Sequence, residues 1–143
     1  MARTVRSRLI PAPREAVWEV LSDPHHLPRW WPQVTRVEHV QGERFTEVVP
    51  TKRGKPMRLD LRVTASTAPE LRSWAQELAG TPFERLLDEW TTSVSLAEQD
   101  GATLVTITEV QQLRGSFRLG LPLQRRPARR RVDAALAGLA ALF

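Results

Sequence analysis

Between residues 33 and 113 apolar and polar side chains alternate in short runs, the two-residue period of strands with one dry and one wet face. Met57, Leu59, Leu61, Val63 and Ala65 alternate with Arg58, Asp60, Arg62 and Thr64, after the turn Lys52-Arg53-Gly54-Lys55. Gln41-Gly42-Glu43 separates predicted strands near 34–40 and 44–50. A strand near 71–79 precedes Gly80-Thr81-Pro82, and a long one near 83–97 leads through Gln99-Asp100-Gly101 into a last strand near 102–113. Ahead of these, Val5, Ser7 and Leu9 alternate with Arg6, Arg8 and Ile10 in a first strand that ends at Pro11. The pattern predicts an antiparallel meander of about seven strands.

The period changes to 3.6 at both ends of the chain. Ala16, Val17, Val20 and Leu21 form an apolar stripe behind Pro13, which suits a first helical turn. Asp23 is placed as an N-cap with Pro24 after it, so His25 to Trp30 reads as a second, short helix that Pro28 and Pro32 keep from growing. From Ala128 to Phe143, Val132, Ala135, Leu136, Leu139, Ala140 and Phe143 fall on one stripe of a long helix. Pro122 and Pro127 mark its start, and Gly138 permits a close approach.

Three segments resemble one known family. PAPREAVWEVLSDPHHLPRWWP (11–32), WAQELAGTPFERLL (74–87) and DGATLVTITEV (100–110) are similar to the SRPBCC superfamily, the START-like, polyketide cyclase/dehydrase-like proteins. The resemblance implies an α+β helix-grip fold, in which a seven-stranded curved antiparallel sheet wraps around a long C-terminal helix, with two short helices between strands 1 and 2. It implies one ligand-binding domain over residues 1–143 and an apolar or amphipathic small molecule of lipid, polyketide or aromatic type in the grip. It leaves open whether that molecule is carried or converted, because this fold serves both carriers and enzymes.

Composition narrows the chemistry. The 143 residues include no cysteine, which excludes disulfides, thiolate metal sites and cysteine nucleophiles. No apolar run approaches the ~18 residues of a bilayer span, and no signal peptide is legible at the N-terminus, so a cytoplasmic location is expected. The net charge of +5 is concentrated between Glu109 and Asp133, where Arg114, Arg118, Arg125, Arg126, Arg129, Arg130 and Arg131 occur without an acid. Such a window suits RNA, the ribosome or an acidic lipid as alternative partners, with Arg118, Arg125, Arg126, Arg129 and Arg130 as its core.

If the dry faces line a cavity, its walls are expected to include Leu59, Leu61, Val63, Trp74, Trp90 and Ile107, closed by Trp30 or Trp31 and by Leu136 and Leu139. Parity turns Gln76, Thr92 and Glu109 inward as well. A buried Glu109 would be a candidate general acid or base for a cyclase, aromatase or dehydrase. No cofactor or metal is expected. His25 and His26 diverge by about 100° on a helix, His39 has no Ser/Asp partner pattern, and no phosphate-binding loop is present.

Overall fold

The computed structural model describes residues 2–115 and 125–143, with side chains in the second stretch from Pro127 onward. Strand β1 (Ala2–Ile10) runs into helix α1 (Arg14–Leu21), a 3₁₀ turn (Pro24–His26) and helix α2 (Leu27–Trp30). Then follow β2 (Arg36–Gln41), β3 (Arg44–Val49), β4 (Met57–Thr67), β5 (Leu71–Gln76), β6 (Leu87–Gln99), β7 (Ala102–Leu113) and helix α3 (Arg125–Ala140). These seven strands form one antiparallel sheet in the order β1-β7-β6-β5-β4-β3-β2. The arrangement is the predicted helix grip, with α3 packed against β1, β7 and α2.

Local chemistry explains each junction. The Pro13 carbonyl accepts from the amides of Ala16 and Val17 to start α1, and the buried Thr103 hydroxyl donates to the Ala12 carbonyl at 2.7 Å, tying the entry of α1 to β7. The Asp23 carboxylate caps the 3₁₀ turn by accepting from the His25 amide at 3.0 Å, with Pro24 at the first position. Asp100 and Gly101 both have positive φ and form a two-residue hairpin between the partners Gln99 and Ala102.

Helix α3 buries Val132, Ala135, Leu136 and Leu139, a stripe at i, i+3, i+4 and i+7. Gly138 lies against α2, where a Cβ would collide with the Trp30 carbonyl oxygen. Val17, Leu21, Leu27 and Trp30 from the short helices meet Ile10, Val94, Leu96, Val105 and Ile107 from the sheet in the same core.

Several expectations are corrected. Phe143 leaves the apolar stripe and is exposed, because the helix ends at Ala140. On β1 the apolar alternates Val5 and Leu9 face outward, 48% and 51% exposed, while Thr4 and Ile10 take the inner face. Strand β5 stops at Gln76 and β6 starts only at Leu87. Between them the Thr81 hydroxyl donates to the Leu78 carbonyl at 2.7 Å and accepts from the Phe83 amide, and the Leu87 amide donates to the Phe83 carbonyl. This local turn competes successfully with the sheet ladder. A register shift between Leu87 and Glu89 then lets Leu87 and Trp90, which differ in parity, turn toward the same side.

Candidate functional site

The concave side of the sheet encloses a cavity of about 230 Å³. Its floor is a set of cross-strand neighbours. Leu59 and Leu61 of β4 stand beside Glu47 and Phe45 of β3, Gln76 of β5 pairs with Leu61, and Trp74, Thr92 and Glu109 follow one another across β5, β6 and β7. Trp31, Pro32, Gln33 and Val34, which link α2 to β2, form one wall. Met57, Phe83 and Trp90 line the cavity too, and Arg131 reaches it from α3.

The aromatic rings are mutually oriented. Trp31 packs edge-on against Trp74, with centroids 6.0 Å apart, and against Trp30 at 5.4 Å. Phe83 meets Trp90 edge-on at 5.5 Å, and the Arg131 guanidinium lies over the Trp90 ring at 5.6 Å. Such edge-to-face pairs contribute about 0.5–1.5 kcal/mol beyond area burial.

The polar groups fall into two sets. Glu109, 2% exposed, is paired with Arg131: the guanidinium Nη2 donates to Oε1 and Nε to Oε2. Glu47, 7% exposed, has no hydrogen bond or ion pair among the described residues. Burial alone pushes its carboxyl up from the usual 4.5 to about 7, since removal from water penalises the charged form. The Gln76 amide nitrogen is also buried, without a partner among the described residues. Among the described residues, no group of acids and histidines gathers as a metal site would need.

Eight residues proposed from the sequence meet at the cavity: Trp31, Leu59, Leu61, Trp74, Gln76, Trp90, Thr92 and Glu109. Trp30, Val63, Ile107, Leu136 and Leu139 lie instead in the packed core. Trp30 is covered by α3 at Gly138, and Leu136 and Leu139 are taken up by α3's own packing. Glu109, the proposed acid or base, is held by Arg131 rather than standing alone. Sequence reasoning missed Glu47, Phe83 and Arg131.

The arginine window is divided. Arg114 pairs with Asp88 at 2.9 Å and Arg131 with Glu109, while Arg129 and Arg130 are exposed on α3. Arg118 and the side chains of Arg125 and Arg126 lie outside the described residues. His25 and His26 flank Asp23, with His25 Nδ1 2.9 Å from its carboxylate, and His39 lies exposed on β2; none of the three reaches the cavity.

A curved sheet gripping a C-terminal helix is the architecture that the three sequence segments led us to expect. The family model for polyketide cyclase / dehydrase and lipid transport matches residues 1–143. The chain belongs to this family. No curated protein sequence matches it. Among solved structures it is similar to the di-domain ARO/CYC BexL from the BE-7585A biosynthetic pathway, with TM-score 0.79 and 22% identity over 99% of this chain and 46% of BexL. The chain thus spans about half the length of that relative. XoxI from Bacillus cereus gives TM-score 0.76 at 18% identity, covering 100% of this chain and 96% of XoxI. Ara h 8.0201 gives 0.74 at 12% identity, covering 99% and 96%. At these identities the likeness is one of fold. No described helix is long and apolar enough to cross a membrane.

Proposed function

We propose that the protein binds a small amphipathic molecule with an aromatic or polycyclic apolar body in this cavity. The observation that carries the reading is the pairing of indole walls with two buried polar groups that have no partner among the described residues, Glu47 and the Gln76 amide nitrogen. A buried polar group without a partner costs about 1–3 kcal/mol. A ligand that supplies the partner recovers that cost, so the site is more complete when occupied. At about 230 Å³ the cavity lies below the ~300–1,000 Å³ of typical drug-sized sites, which favours a compact ring system over a long acyl chain. The family's association with polyketide cyclisation and lipid transport supports the same class of ligand.

The body of the ligand lies against Trp31, Trp74 and Trp90, and Gln76 and Thr92 orient its polar edge. A second reading, proton transfer on the bound ligand by a cyclase or dehydrase, is favoured by Glu47. An acid or base poised near neutrality is suited to that task. Glu109 serves in both readings as the anchor of Arg131. RNA or acidic-lipid binding through the arginine window gains less support, since two of its arginines are engaged by carboxylates.

Titration with the neutral fluorophore N-phenyl-1-naphthylamine tests the proposal. Saturable, one-to-one binding with a Kd of about 1–10 μM, corresponding to roughly 7–8 kcal/mol, is expected. Leu61→Gln, which adds a polar group to the floor, should weaken it at least tenfold. Absence of saturable binding overturns the reading.

A further inference from the structure

Among the described residues the charges in the cavity do not balance. The described lining holds two carboxyl groups, Glu47 and Glu109, and one guanidinium, Arg131. Arg131 directs Nε and Nη2 to Glu109 and stacks on Trp90, and among the described residues no hydrogen bond or ion pair joins it to Glu47. The charged residues of the strands flanking Glu47 stand on the other face of the sheet. There Glu38 is shared by Arg36 and Arg58, and Asp60 accepts from Thr46 at 2.7 Å. Glu47 is therefore an acid for which this chain provides no cation among the described residues.

We infer that the cavity is built for an organic cation: the ammonium group of a compact amphipathic amine, paired with the Glu47 carboxylate, with the ligand's apolar body against the indoles. Three considerations carry this. A buried carboxylate is strongly disfavoured until a cation or hydrogen-bond donor meets it, so an ammonium gains more from Glu47 than any neutral group does. Indole faces attract cations in their own right, by about 0.5–2 kcal/mol, and among the described residues the cation–π contact is Arg131 on Trp90, with none on Trp31 or Trp74. A ligand carboxylate, by contrast, meets two acids and a guanidinium that is already engaged, which selects against free fatty acids. The inference rests on the binding reading above and adds the charge of the ligand to it.

The test compares three ligands of one skeleton, 2-(naphthalen-2-yl)ethylamine, 2-(naphthalen-2-yl)ethanol and naphthalen-2-ylacetate, by isothermal titration calorimetry. At pH 8 the amine should bind at least tenfold more tightly than the alcohol, and the acetate at least tenfold more weakly than the alcohol. Glu47→Gln should abolish the amine's preference, bringing the ratio of alcohol to amine Kd to within about threefold of one. The wild type provides a readout that needs no variant. At pH 5.5 free Glu47 holds a proton, because burial raises its carboxyl to about 7. Amine binding should therefore release close to one proton, measured from the dependence of the heat on the ionisation enthalpy of the buffer, and at pH 8.5 it should release none.

Equal binding of amine and alcohol, or an amine preference that survives in Glu47→Gln, overturns the inference while leaving the cavity reading intact. Failure of all three ligands to bind overturns both.

Discussion

Arg131 on the last helix and Glu109 on the last strand form an ion pair that joins the grip to the sheet at the edge of the cavity. Glu109 is almost wholly buried, whereas the Arg131 side chain is 28% exposed, so the pair sits where core becomes cavity mouth.

Removing the cation leaves the acid stranded. Arg131→Ala should destabilise the fold by about 3 kcal/mol in urea denaturation, since breaking a buried pair costs more than the pair itself contributes. Replacing both partners, Arg131→Met with Glu109→Leu, should recover most of that loss. A loss below about 1 kcal/mol in the single variant would show that Glu109 finds water instead.

Glu47 gives stability a pH dependence of definite sign. Below its ordinary 4.5 the carboxyl is protonated in folded and unfolded chains alike and contributes nothing. Between 4.5 and about 7 the folded state keeps a proton that the unfolded state has released, so stability falls as pH rises, and above about 7 the loss is complete. The full loss is on the order of 3 kcal/mol. Glu47→Gln should thus match the wild type near pH 4 and exceed it at pH 8, as chemical denaturation across pH will show. A difference between the two that does not change with pH would remove Glu47 from this role.

Gly138 is required by contact rather than by backbone conformation. A methyl group there meets the carbonyl oxygen of Trp30, so Gly138→Ala should push α2 away at a cost of about 2 kcal/mol. For a chain of this size that lowers Tm by about 4–8 °C. Trp30 carries Trp31 against Trp74, so indole emission should shift as well. An unchanged Tm would mean that the two helices are not in close contact.

Thr103→Val keeps the shape of a fully buried side chain and deletes its hydroxyl. The Ala12 carbonyl then loses its donor, and a destabilisation of about 1–3 kcal/mol is expected from thermal melts.

The fold was legible because its periods are simple. Alternation such as Met57 to Ala65 and the stripe from Val132 to Leu139 admit one arrangement each once the turns at Gly42 and Gly101 are placed. The site was legible as far as alternation reached it, through Leu59, Leu61, Trp74, Gln76, Trp90, Thr92 and Glu109. Phe83 was hidden because it belongs to a turn stabilised by Thr81 and not to the strand that its apolar neighbours suggest. Arg131 read as one more member of a basic run, although it stands one helical turn before the buried Ala135. Glu47 carried a usable signal: it lies in phase with Phe45 and Val49, on the side that the same alternation assigns to the interior. Why an acid should occupy that phase became apparent only when the register placed it beside Leu59, with Arg131 already engaged by Glu109.

The location of the ligand is tested most directly by the five tryptophan indole N–H resonances in a ¹⁵N-labelled sample titrated with N-phenyl-1-naphthylamine. Trp31, Trp74 and Trp90 line the cavity, whereas Trp18 packs on α1 away from it, so the first three signals should move in saturable steps while Trp18 stays still. Movement of Trp18 alone, or saturable binding with no change at Trp31, Trp74 and Trp90, would place the ligand elsewhere and contradict the account.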